Sequence, residues 1–313
     1  MVVLGKTKES LTMTPLLNRI VLKLVFRSRP NIWLGRLFFK NDGGYISNLI
    51  GTYIKSRDPA RAKKNGFQAE NLSTVATLKK QGFLVEDCTE QTDTIFTLAE
   101  AWSRYAEKQS APTNGRLELS SADQSNELET FIPLLESLIT PRVKNTLESF
   151  FQSHFRIINY HLYRNSKPNE LKPQDAYGAT ANWHTDGSTS ESIKLFFMLS
   201  DVTANNGPME IMSIKDTEKV IQSGHFSYPD RRGATTNFVK QFIKTKKLQG
   251  SAGTSFYALT NNILHRATVP EDGEHRDLIV FYITSSSQNR SVARQLREAK
   301  YREVYGFERL FMD

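Results

Sequence analysis

The sequence predicts a mainly β fold, a jelly-roll core with flanking helices, and three observations carry that reading. Beyond Phe151, apolar residues fall in strand-length runs: FRIINYHLYR (155–164), IKLFFML (193–199), 254–259 and LIVFYIT (278–284). Turn-forming clusters punctuate them, Asn205-Asn206-Gly207-Pro208, Ser251-Ala252-Gly253 and Glu271-Asp272-Gly273. No helical pattern of 10–15 residues is read between the runs, which favours an antiparallel jelly roll over a parallel βαβ sheet. The chain has 313 residues, 39% hydrophobic and 11% aromatic, enough for a sizeable core and too apolar for a disordered protein.

The elements follow in order. Residues 1–66 hold 13 Lys and Arg against 3 acids, a charge of +10, whereas the rest of the chain holds 28 against 30, a charge of −2. Within this basic head, residues 11–27 place Leu16, Leu17, Ile20 and Leu24 at helical spacing with Arg19, Lys23 and Arg27 in a cationic stripe. A second segment sets Trp33, Leu34, Leu37, Phe38 and Phe39 between Arg36 and Lys40. Cations interleaved with aromatics suit an interfacial helix, so residues 11–40 are expected to meet an anionic membrane surface or else to pack on the following domain. The charges in the head interrupt any spanning segment or secretory signal.

Residues 67–313 are read as one domain. Its first part, 67–150, is helical support, with helices expected at 71–82, 92–109 and 124–151 and breaks at Pro112-Thr113-Asn114-Gly115 and Pro133. Residues 86–136 carry 11 acids against 3 bases, the opposite of the head. The jelly-roll core spans 151–290, and a charged helix at 291–304 closes the chain. The single cysteine, Cys88, excludes intrachain disulfides and a cysteine-based zinc site, and is read as a packed loop residue in a reducing, cytoplasmic compartment.

Two of the six histidines have telling neighbours. His184-Thr185-Asp186 puts two metal-capable side chains at i and i+2, on one face if the segment is extended. His265 follows after 78 intervening residues. Two histidines and a carboxylate on one face fit a non-haem Fe(II) site that leaves positions open for other ligands. Arg276, eleven residues past His265 at the edge of the LIVFYIT run, suits bidentate binding of a carboxylate. His154, His161, His225 and His275 are read as structural or surface residues, with His161 nearest to the barrel. Trp183 is read as packing behind the metal. Lys194 and Arg164 are read as solvated strand-end cations, with contact to an anionic substrate or the cosubstrate as the alternative. Ser285-Ser286-Ser287 is a polar strand exit with no acid–base partner beside it.

At these residues the chain resembles the phytanoyl-CoA dioxygenase-like family of Fe(II)/2-oxoglutarate-dependent oxygenases. Trp183-His184-Thr185-Asp186 is similar to that family's W-H-x-D. Residues 193–201 with Asn206-Gly207-Pro208-Met209 resemble its apolar strand and E-N-G-P-L turn. Leu264-His265-Arg266-Ala267 followed by Arg276 resembles its distal histidine and cosubstrate arginine. The resemblance covers about residues 150–285 and implies a double-stranded β-helix, the cupin-like jelly roll. It implies His184, Asp186 and His265 as iron ligands, and Arg276 as the holder of the distal carboxylate of 2-oxoglutarate. Thr268 would add a hydroxyl contact. It further implies that oxidative decarboxylation of 2-oxoglutarate by O₂ drives hydroxylation, with ascorbate as a stimulant. Asp186 stands where family halogenases have a small residue, so hydroxylation is expected rather than halogenation.

The family's P-G-S-H segment is replaced by Met212-Ser213-Ile214-Lys215-Asp216, which argues against an acyl-CoA substrate. Nucleic acid is an unexpected partner, because the second arginine of the AlkB-type demethylases is Tyr282 here. With the basic head, the expectation is an amphiphilic or anionic substrate at the inner face of the cytoplasmic membrane. A lipid-linked sugar such as the Kdo region of lipopolysaccharide fits it. A soluble small molecule or fatty acyl derivative is the alternative substrate, and a non-catalytic metal-binding β-barrel the alternative class.

Overall fold

The computed structural model describes residues 57–299, apart from residue 69, 71–72, 88–90, residue 111, 122–125, 170–177, 187–191 and 227–233. The amphipathic segment 11–40, Cys88 and the end of the expected 291–304 helix therefore lie outside the described residues, as does most of the basic head.

Among the described residues, nine strands form two antiparallel sheets. The larger has the order β1 (Phe83–Asp87), β7 (Thr254–Ala258), β4 (Ser192–Met198), β9 (His275–Ser286), β3 (His154–Ser166), β2 (Arg116–Ser120). The smaller has the order β6 (Lys246–Leu248), β5 (Met209–Ile211), β8 (His265–Ala267). Bridges His184↔His265 and Val202↔Gly250 extend the smaller sheet at its two ends. This is the jelly roll that the C-terminal runs predict.

Residue parity divides the large sheet into two cores. On β9, Ile279, Phe281 and Ile283 point to the helices, while Leu278, Val280 and Tyr282 point between the sheets. On β4, Leu195 and Phe197 face the helices, while Phe196 and Met198 face inward. Because both faces are covered, IKLFFML and LIVFYIT are continuous apolar runs, as strands buried on two sides must be. The outer core is closed by α1 (Ser73–Gln81), α2 (Thr92–Glu107), α3 (Asn126–Ser137), α4 (Pro141–Phe151) and α7 (Val292–Glu298). Fully buried Trp102, Leu98 and Leu147 sit at its centre.

Four features differ from the sequence expectation. The expected 124–151 helix is two helices, and it breaks at Thr140-Pro141 rather than at Pro133, which lies inside α3. Thr140 accepts from the Val143 N–H and Pro141 takes the first helical turn, where its missing N–H costs nothing. The helical region also contributes β1 and β2, the two edge strands of the large sheet. Two helices of nine residues, α5 (Ile214–Gln222) and α6 (Ala234–Phe242), interrupt the β half. The segment Met212–Asp216, which stands in place of the family's P-G-S-H and where the sequence predicts no helix, leads into α5, whose cap is the Ser213 hydroxyl accepting from Asp216 N–H at 3.1 Å.

Candidate metal centre

His184 and His265 are held by the same device. Their backbones exchange two hydrogen bonds, 3.1 and 3.0 Å, which dock the H-x-D segment beside β8. Each imidazole then places Nδ1 on a nearby carbonyl: His184 on Asn182 O at 2.7 Å, His265 on Ile263 O at 3.1 Å. An imidazole fixed in this way donates through Nδ1–H and offers the Nε2 lone pair. Both Nε2 atoms face the Asp186 carboxylate, at 3.8 Å and 3.7 Å. The potential donor atoms of the three residues all lie within 4.8 Å of one another. The Asp186 N–H donates to Thr260 O at 3.0 Å, so the carboxylate-bearing residue is also tied to the barrel.

The electrostatics match the chemistry of a metal donor set. Burial, reinforced by the neighbouring His184, pushes His265 down to about 3, and burial likewise lowers His184. Both rings are therefore neutral near pH 7, with lone pairs available. Burial alone would raise the Asp186 carboxyl, but the Lys194 ammonium at 2.7 Å, with the two histidines, holds it well below the usual carboxylate range. Two neutral imidazoles and one carboxylate, facing one point with their outer atoms secured, fit a first-row divalent ion that keeps open positions.

Lys194 corrects the sequence reading. Its side chain is 13% exposed, faces inward from β4, and lies 4.4 Å from the Tyr282 ring centroid while pairing with Asp186. Arg164 is not solvated either: it forms a two-pronged bridge to Asp277 on β9, 2.9 and 2.7 Å, and donates to Ser103 at 2.9 Å. It ties β2–β3–β9 to α2 on the face away from the metal centre.

Arg276 is 2% exposed on the inner face of β9, in register with Asn165 of β3, which is itself in register with Arg116 of β2. The Thr268 hydroxyl donates to Pro208 O at 2.6 Å, across the turn that contains Asn206-Gly207-Pro208. Trp183 is buried behind His184, with the Arg266 guanidinium 5.0 Å from its ring centroid. His154 pairs with Glu148, His275 stands near Asp277 and His225 stacks on Phe238, all away from the cluster.

A polar wall that the sequence reading did not assemble faces inward from β2 and β3. Arg116 donates to Asn165 at 2.9 Å and to Thr180 at 3.1 Å, with its guanidinium 4.8 Å from the Tyr163 ring centroid. His161 contacts Glu118 and Asn159 and stacks on Tyr163, and Tyr163 hydrogen-bonds to Tyr282. Tyr282 is close enough to Asp186 for that carboxylate to help raise its phenol, after burial. The signal for this wall was parity: Asn159, His161, Tyr163 and Asn165 share one face of β3 while Tyr160 and Leu162 share the other.

No protein-family model matches the sequence, and no curated protein does. Among solved structures, the chain is similar to EctD from S. alaskensis with 2-oxoglutarate and 5-hydroxyectoine, at 13% identity and a TM-score of 0.49, covering 70% of this chain and 79% of that one. It is also similar to AviO1 from Streptomyces viridochromogenes, at 14% identity and a TM-score of 0.47, covering 72% and 99%. A third is the non-heme alpha-ketoglutarate-dependent epimerase SnoN from nogalamycin biosynthesis, at 14% identity and a TM-score of 0.45, covering 73% and 84%. What this site can do follows from its own geometry.

Proposed function

We propose that the protein is an Fe(II)/2-oxoglutarate-dependent dioxygenase, a hydroxylase of the phytanoyl-CoA dioxygenase-like type. The observation that carries this reading is the convergence of His184 Nε2, His265 Nε2 and Asp186 within 4.8 Å, with both Nδ1 atoms locked on carbonyls. His184, Asp186 and His265 would hold iron, which when bound supplies activation of O₂ at its open positions. Arg276, buried on the inner face of the same barrel, would take the distal carboxylate of 2-oxoglutarate through its planar fork. Thr268 would bear on the cosubstrate through the turn it fastens. Asp186 fills a ligand position with a carboxylate, which favours hydroxylation over halide chemistry.

The protein's own groups have distinct tasks. Lys194 pairs with one oxygen of the Asp186 carboxylate at 2.7 Å and so fixes the orientation of that group. Tyr163, Tyr282 and Arg116 form a wall of aromatic and donor groups beside the metal centre, suited to an anionic or polyhydroxylated substrate. With the basic head, the substrate class is an anionic amphiphile, such as the Kdo region of a lipid-linked sugar.

The test is conversion of 2-oxoglutarate to succinate. Turnover should need Fe(II), vanish in His184→Ala and His265→Ala, and show a KM for 2-oxoglutarate raised at least about tenfold in Arg276→Leu. Succinate formed equally well by His184→Ala would overturn the reading. Coupling of succinate to product across lipid, glycan and acyl candidates then identifies the substrate.

A further inference from the structure

Residues 231–270 contain seven basic residues, Arg231, Arg232, Lys240, Lys244, Lys246, Lys247 and Arg266, and not one Asp or Glu. Four of them, Lys240, Lys244, Lys246 and Lys247, lie within eight positions and are all exposed. None of these four makes an ion pair among the described residues; Lys246 instead reaches over the Phe83 ring at 5.4 Å. In their midst stands Phe242, the last residue of α6, with 66% of its surface exposed. Its ring lies 5.0 Å from Phe238, which in turn stacks on His225 at 4.6 Å.

The other strongly exposed large apolar side chain, Phe96 at 59%, has a different setting. It sits on α2 with Asp93 one turn before and Glu100 one turn after, in the acidic part of the chain. Among the described residues, only Phe242 combines a bare aromatic ring with concentrated positive charge.

We propose that the end of α6 and the segment leading into β6, residues 238–247, form a contact surface for an anionic lipid bilayer. An aromatic ring that finds no apolar cover on its own fold gains by entering the headgroup–acyl boundary, and lysines around it then meet lipid phosphates. A second copy of the same patch would be repelled by like charge, and so would the basic head. The surface is separate in sequence from the basic-aromatic segment of residues 11–40. It is also tied to the metal centre. The inner side of α6, through Val239, packs in one cluster with Trp183, Met212 and Leu264, and Trp183 and Leu264 are the chain neighbours of His184 and His265. A bilayer held at Phe242 therefore lies against the wall of the candidate site.

The experiment uses the full-length protein and vesicles of phosphatidylcholine with or without phosphatidylglycerol, read by co-sedimentation. The protein should bind the anionic vesicles, and Phe242→Ser/Lys244→Glu/Lys247→Glu should weaken that binding about tenfold or more, with Fe(II) binding and thermal melt unchanged. In Phe242→Trp, brominated lipid should quench the added fluorescence. Unaltered vesicle binding by the triple variant, with no quenching at position 242, would overturn the proposal and leave contact to the head alone. Absence of any binding to anionic vesicles would overturn it as well. Binding of a single-stranded oligonucleotide in preference to vesicles would assign the surface to nucleic acid. Self-association that the triple variant abolishes would assign it to a second copy through its acidic region. None of these results changes the iron and 2-oxoglutarate reading, which succinate formation tests separately.

Discussion

Lys194→Met removes the cation 2.7 Å from Asp186 and leaves a carboxylate in a buried site without that partner. The metal-free variant should lose about 1–3 kcal/mol of stability, because breaking a largely buried pair strands one charge. Saturation with Fe(II) or Zn(II) should narrow the gap to wild type, since the metal supplies the missing positive charge. Melts recorded with and without metal check this; an equal gap in both would mean that the pairing does not link Lys194 to the donor set. His265 gives a second expectation at this scale. Its folded value of about 3 lies below the ordinary 6.5, so the unfolded chain takes up that proton first as pH falls. The metal-free protein should therefore lose stability between about pH 6.5 and pH 3, and His265→Gln should make that acid limb shallower. Denaturant midpoints across the range measure it. At this scale the grouping of His184, Asp186 and His265 was legible in the sequence, since H-x-D and a later strand-edge histidine are chemically unusual together. Lys194 was not, because a run buried on both faces gives no sign of which parity faces the site.

Turns and short helices decide how the elements place these residues. Gly207 has φ +67°, and a Cβ there would lie 2.6 Å from both the Pro270 N and the Thr268 carbonyl O. Gly207→Ala should cost at least about 1–2 kcal/mol, because a left-handed residue with a side chain meets backbone that cannot yield. A melting point lowered by roughly 5 °C is the expected readout. The Asn206-Gly207-Pro208 turn was visible as a motif, and the structure supplies its reason: close approach of the loop after β8. The small sheet was far less legible. β5, β6 and β8 have three residues each, too few for a period of two to register. α5 and α6, at nine residues, are shorter than the patterns that distinguish a helix from a turn-rich connection. β1 and β2 were hidden in an acidic region whose dominant period is helical, and only their pairing with β7 and β3 makes them strands.

For the whole molecule, the proposed function places the chemistry in the body and leaves location to the basic head. The described body carries the candidate metal centre and the polar wall, and its expected iron and cosubstrate contacts lie within residues 184–276. A chain lacking residues 1–56 should bind Fe(II) and 2-oxoglutarate as the full chain does and lose part of its affinity for anionic vesicles. Isothermal titration and co-sedimentation check the two halves of that expectation. Among the described residues no helix is long and apolar enough to cross a membrane. Any attachment through these residues would rest on surface features such as the Phe242 patch. The jelly roll itself was legible because the central strands of its larger sheet are strongly apolar where they meet the helices.

In the proposed function, His184, Asp186, His265 and Arg276 together make an iron and 2-oxoglutarate site. Anaerobic titration of the metal-free protein with Fe(II) and then 2-oxoglutarate tests it most directly. A visible charge-transfer band should appear only when both are present, disappear in His184→Ala, and need a higher 2-oxoglutarate concentration in Arg276→Leu. Fe(II) bound tightly with no band at any 2-oxoglutarate concentration would contradict the claim and favour a metal-binding barrel without catalysis.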